Sequence, residues 1–168
     1  MFWERFAIAV LGLGSLQVSL GQNTSFTQVH VFGAASLTTG QTMRLSVVNP
    51  GFLLPTTPAF TCNVELDFVN ESGSTVKRVS TTVAPFNSTT ADLNRDSEIA
   101  GDSSVMIHAV VRNLQVIMAP ANTVPTEAQF CPLVPTVEII DNATQRTKTV
   151  LSNAKVYTTI PGIASAGR

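Results

Sequence analysis

A chain of 168 residues with 12% charged side chains and a formal net charge of −1 has room for one domain and a buried core. An average soluble domain carries roughly 25% charge; here serine and threonine supply much of the polarity, which suits β-strands with neutral outer faces. The ten basic residues are scattered, so the dense cationic face that nucleic acid or anionic lipid demands is missing, and neither partner is expected.

The first residues follow a different rule from the rest. Met1-Phe2-Trp3-Glu4-Arg5 carries one arginine, an apolar run from Phe6 to Leu20 follows, and Ser19-Leu20-Gly21 places small residues before a cut that leaves Gln22 first. That order of charged start, apolar centre and small-residue exit predicts a secretory signal over 1–21. Gly12, Gly14, Ser15 and Gln17 interrupt the run, which leaves it short of the ~20 apolar residues of a membrane span. No later segment is apolar enough to cross a membrane. The mature domain is expected over 22–160, and the small, polar end 161–168 is expected to be a disordered tail.

Two cysteines remain, Cys62 and Cys131. In an exported chain an even count favours a disulfide, whose loop of about 70 residues is worth roughly 4 kcal/mol of unfolded-state entropy. A zinc or copper site needs more ligands than one cysteine pair and two distant histidines provide.

Strand signals then recur at short spacing, with no sustained helical period. Val29 and Val31 alternate with Gln28 and His30. Met43, Leu45 and Val47 alternate with Thr42, Arg44 and Ser46 before the turn Asn49-Pro50-Gly51. Cys62, Val64, Leu66 and Phe68 form the clearest apolar face, opposite Asn63, Glu65 and Asp67, and Asn70 to Gly73 reverses the chain toward Val79, Thr81 and Val83. Thr89, Ala91 and Leu93 make a short strand, and the polar stretch Asn94–Ser104 leads to a long one through Val105, Ile107, Ala109 and Val111. Thr136–Ile140, the turn Asp141–Thr144 and one last strand from Thr147 complete the set. The proline-bearing segments 50–61 and 120–135 read as irregular connections, and the strand pattern leaves open whether they build a site. A faint echo links the hairpin after Cys62, with its basic return strand at Lys77 and Arg78, to the one after Cys131, with Arg146 and Lys148.

Seven or eight strands over this length predict an all-β, two-sheet sandwich after the N-terminal signal helix, with both cysteines on core-facing phases. From about Phe26 to Tyr157, in this pattern and in phrases such as Gln41-Thr42-Met43-Arg44-Leu45, the chain resembles the immunoglobulin-like and fibronectin type III-like sandwich modules of exported bacterial proteins. It departs from true immunoglobulin domains in lacking a tryptophan between the cysteines. The resemblance implies a fold and supplies no activity.

Candidate chemistry is sparse. His30 and His108 fall on the polar phases of their strands, and a hydrolase would need one of them beside a serine and an orienting acid. Gly101-Asp102-Ser103 lacks the strand-to-helix turn of a nucleophile elbow, and Ser74-Thr75-Val76-Lys77 sits at a hairpin rather than a helix start. Asp92, Asn94 and Asp96, continuing to Glu98 and Asp102, space oxygen ligands as calcium loops do. However, Ser97 replaces the turn glycine, Ser103 replaces the closing glutamate, and Arg95 adds positive charge. Cys131 has no nearby histidine or methionine for copper. Tyr157, the one tyrosine, gives little for sugar stacking once Trp3 leaves with the signal. Asn23, Asn70, Asn87 and Asn142 begin Asn-x-Ser/Thr sequons.

The reading is a secreted, periplasmic or cell-surface module without enzymatic activity or cofactor. It acts through its surface on a protein or envelope component, in adhesion or as a scaffold. One rival is a surface-fibre subunit that donates the alternating Phe26–Phe32 segment to a neighbour's sheet edge. The other is a secreted hydrolase using His108 or His30.

Overall fold

The computed structural model describes residues 23–51, 61–101, 103–120, 130–152 and 154–159. The signal over 1–21, the tail over 161–168 and most of the two proline-bearing connections lie outside these residues. The described chain forms β1 (Asn23–Val31), β2 (Ala35–Leu37), β3 (Gln41–Val48), β4 (Cys62–Asn70), β5 (Thr75–Val83), β6 (Ser88–Asn94), a single helical turn α1 (Arg95–Glu98), β7 (Val105–Pro120), β8 (Val134–Asp141), β9 (Arg146–Leu151) and β10 (Lys155–Thr159).

These strands make two antiparallel sheets packed as a sandwich. One runs β10-β1-β7-β4-β5, with β2 alongside β7, and the other runs β6-β3-β8-β9. The period-two pattern of the sequence dictates the packing. Val64, Leu66, Phe68, Ile107, Ala109 and Val111 face inward from the six-stranded sheet, and Met43, Leu45, Val47, Leu93, Val137 and Ile139 meet them from the four-stranded sheet. Each such side chain contributes about 1.5–3 kcal/mol on burial. A one-residue slip would turn every one of them to solvent, so the core fixes the register.

Cys62, at the start of β4, is bonded to Cys131, just before β8, with a Cα–Cα distance of 5.7 Å. Both residues are buried, and the bond ties the two sheets together at one end. A disulfide is the mark of a chain that matures in an oxidising environment. No helix among the described residues is long and apolar enough to cross a membrane.

Three sequence expectations are corrected. The last strand is two strands, because the chain leaves the four-stranded sheet after β9 and returns as β10 beside β1. The polar stretch after β6 contains α1, capped by the Asn94 side chain, which accepts from the Asp96 and Ser97 N–H groups. The phase of β1 is inverted: Gln28 and His30 are buried, while Val29 and Val31 are half-buried. Phe32 accounts for the inversion. It is buried in the core and donates its backbone N–H to the Ala109 carbonyl at 2.9 Å, and residues two and four before it must share its face.

Arg95 is the largest fully buried side chain, at 2% exposure. Its guanidinium donates to the Ile99 and Ser103 carbonyls, both at 2.6 Å, and to the Gly101 carbonyl. The connection between the sheets is thus wound around one cation, whose five donors no other side chain matches. Asp96 closes the other side of α1 by accepting from the Gly40 N–H at 3.0 Å.

Arg95→Met, which keeps the volume but leaves these carbonyls unpaired, is expected to lower the unfolding free energy by about 3 kcal/mol, read from the urea midpoint. The double variant Cys62→Ala/Cys131→Ala is expected to lose about 2–5 kcal/mol in the same measurement, with wild type in reductant following it.

Candidate functional site

The disulfide end of the sandwich holds the most distinctive surface. On β1, Gln28 pairs across from Asn113 of β7 and Thr158 of β10, and His30 pairs across from Val111 and Val156. Both side chains therefore point between the sheets. There they form the floor of a cleft of about 240 Å³ whose walls are Pro132, Leu133, Val134 and Val156, with Pro50 and the disulfide at Cys131 completing it. Asn113 holds the segment before β8 in place through its amide, which donates to the Cys131 carbonyl at 3.5 Å.

From the cleft an apolar strip continues over the outside of the four-stranded sheet. Val134 and Val48 are register partners on adjacent strands, and Phe86 lies in the crossover from β5 to β6, where its N–H bonds to the Asn49 carbonyl at 2.8 Å. Val48, Phe86, Val134 and Val156 are four of the seven exposed large apolar side chains among the described residues, so exposure is concentrated at this end. Phe86 is 69% exposed and has a φ of 63°, a left-handed conformation that costs a bulky residue about 1–3 kcal/mol. Its ring lies over Gly51, where an added Cβ would come within 2.6 Å of it. Glycine at 51 is what lets the aromatic ring rest there.

The charged residues are occupied elsewhere. On the outer face of the six-stranded sheet Asp67, whose side chain is fully buried, is clamped between Arg78 at 2.8 Å and Arg112 at 3.0 Å. Glu65 lies 3.3 and 3.4 Å from the same two guanidinium groups. Hydrogen bonding to Asp67, then its charge, raises the Arg78 pKa above its ordinary value. On the four-stranded sheet Arg44 forms a two-point contact with Asp92 at 2.7 and 2.8 Å, and hydrogen bonding to Asp92 raises its pKa in the same way.

These bonds decide the fate of the sequence candidates. Asp92, Asn94 and Asp96 do not share a point in space: Asp92 binds Arg44, Asn94 caps α1, and Asp96 accepts from Gly40. Among the described residues no group of three or more His, Cys, Asp or Glu side chains is placed to hold a metal ion. His30 faces inward and is buried, which corrects its expected polar phase. His108 is on the outer face, with Nδ1 3.4 Å from the Phe32 carbonyl. The two histidines are separated by the sheet itself.

The remaining motifs have structural roles. Lys77 donates to the Asp92 carbonyl at 2.6 Å and pairs with Glu98, closing the gap between β5 and β6. Gly101 and Ser103 offer their carbonyls to Arg95, and Asp102 lies outside the described residues. Two sequon residues are engaged in turns, Asn70 with Ser72 and Ser74 and Asn142 with Thr42. The fibre rival's donor strand, β1, is bonded on both sides within its own chain. The strip and the cleft are what sequence reading missed; Pro50 and Cys131–Val134 fall within the two irregular connections.

No protein-family model matches the chain, and neither a curated protein nor a solved structure does.

At the far side of β8, Asp141 accepts from Lys148 at 2.8 Å and from the Thr144 N–H and hydroxyl. Hydrogen bonding from Lys148, then from Thr144, holds its carboxyl well below its ordinary value of 3.8. A depressed folded pKa contributes stability above the unfolded value, and that stability is lost as pH falls through the folded value. Unfolding titrations should therefore show Asp141→Asn less stable than wild type near neutrality, with the difference shrinking as pH falls below about 4, where the wild type loses this contribution.

Proposed function

We propose that the chain is an exported, immunoglobulin-like binding module without catalytic activity, and that it works in the secreted, periplasmic or cell-surface space by holding a protein or envelope component against its disulfide end. The observation that carries this reading is the convergence of the cleft and the strip of Val48, Phe86 and Val134 at one end of the sandwich. Monomeric proteins seldom gather exposed apolar groups in one place without a use for them.

The immunoglobulin-like assignment draws support from strand order. β4 lies beside β7 in one sheet and β3 beside β6 in the other, as the C and F and the B and E strands do in that fold. Two strands differ: β1 occupies the far side of β7, and β8, which follows β7 in the chain, lies beside β3 in the other sheet. The absence of enzymatic activity draws support from the paired state of the charged residues and from the separation of His30 and His108. An extracytoplasmic site of action draws support from the disulfide and from the signal-like residues 1–21.

The test is photo-crosslinking in the native host, with benzoylphenylalanine in place of Phe86 or, as a control at the opposite end, in place of Ser72. The expected result is a discrete adduct in the envelope or extracellular fraction from position 86 and none from position 72. Equal labelling from both positions, or no adduct from either, would remove the basis for the reading.

A further inference from the structure

We infer that a polar groove on the four-stranded sheet, at the end away from the disulfide, binds one neutral sugar ring of a glycan. The groove lies six positions along β3 from Val48, or about 20 Å, and is separate from the surface proposed above. Thr42 and Arg44 of β3, Asp92 and Asn94 of β6, and Asn142 and Gln145 of the β8–β9 turn line it. Strand register brings them together: Thr42 lies between Asn94 and Ile140, and Arg44 lies beside Asp92.

Four of these side chains are anchored at one end and, among the described residues, uncommitted at the other. Asn94 Oδ1 accepts from the Asp96 and Ser97 N–H groups, which leaves the donors on its Nδ2. Asn142 Oδ1 accepts from the Thr42 hydroxyl at 2.7 Å, so Nδ2 is again the uncommitted end. Gln145 is the reverse: its Nε2 donates to the Asn142 carbonyl at 2.8 Å, and Oε1 is left as an acceptor. Arg44 commits Nε and one terminal nitrogen to Asp92 and keeps the other. Groups held in this way need little ordering when a ligand arrives, which distinguishes the groove from a surface of freely turning polar side chains.

The chemistry of this array selects the ligand. Donors on Asn94, Asn142 and Arg44 stand among acceptors on Gln145 and Asp92, and the hydroxyl is the small neutral group that both donates and accepts. Several hydroxyls on one rigid ring match a mixed array better than any single polar group does. Arg44 and Asp92 cancel each other's charge, so an ionised ligand would lose hydration without gaining a counter-charge. Ile140 is the one apolar residue of the lining and no aromatic ring belongs to it, so recognition rests on hydrogen bonds and not on stacking. At about 250 Å³ the groove falls below the roughly 300–1,000 Å³ of drug-sized sites, which suits one ring of a longer glycan.

The experiment is an array of immobilised neutral and anionic oligosaccharides probed with the labelled full chain, followed by NMR titration with the neutral oligosaccharide retained most strongly. The expected result is retention on neutral glycans, with the side-chain amide signals of Asn94, Asn142 and Gln145 shifting and those of Gln28 and Asn113 staying in place. Two variants remove one ligand contact each while sparing the fold. Asn94→Asp keeps an oxygen to cap α1 and loses the Nδ2 donors; Gln145→Gly loses the acceptor at a φ of 56° that suits glycine. Each should weaken binding about fivefold with a thermal midpoint close to that of wild type. Retention on no glycan, retention on anionic glycans alone, shifts confined to other residues, or equal affinity for wild type and both variants overturns the inference. None of these results touches the disulfide end, which the Phe86 adduct tests by itself.

Discussion

The bond between Cys62 and Cys131 fixes how the two sheets meet at the end where the surface is most apolar. Cys62 begins the strand that carries Val64, Leu66 and Phe68 into the core, and Cys131 anchors the segment that enters β8. With a sequence separation of 69 residues, the bond constrains a large part of the unfolded chain. It also has a local effect. Pro132, Leu133 and Val134 are held over Gln28 and His30 at a fixed spacing, so the cleft is kept open by covalent structure as well as by packing. The walls of a cleft held in this way need no ordering before anything enters it.

The charge distribution has the same logic. With few ionic groups available, the fold commits most of them to internal partners: Asp67 to two arginines, Asp92 to Arg44, Asp141 to Lys148 and Arg95 to three carbonyls. Basic side chains also mark three of the sheet edges, at Lys77 and Arg78 on β5, Arg146 and Lys148 on β9, and Lys155 on β10. Positive charge on an edge discourages unselective pairing with other strands. The disulfide end, by contrast, carries Val48, Phe86, Val134 and Val156.

Much of the architecture was legible because it follows local rules. The alternation in β4, the turn after Asn70 and the shared phase of the two cysteines are all short-range signals, and the sandwich follows from them. Asp67 was half legible: the hairpin register sets it opposite Arg78, but its second partner, Arg112, comes from a strand more than forty residues away. The inverted phase of β1 was hidden because alternation is symmetric. Two valines argued for one face, and the single Phe32, beyond them, decided for the other. Arg95 looked like a loop cation and is a buried core of its own, since nothing in its neighbours' identity announces three convergent carbonyls. The cleft was least accessible, because its floor, walls and rim come from parts of the chain that only the sandwich brings together.

The position of β1 has a consequence for how the chain is made. Among the described residues β1 is the first strand and β10 the last, and β1 lies between β7 and β10. A chain threaded through a pore from its N-terminus would thus present β1 long before either neighbour had arrived. Pairings of such long sequence separation form late and slowly. The six-stranded sheet is complete only once β10 has joined β1, which ties closure of the sheet to residues made more than a hundred positions after its first strand.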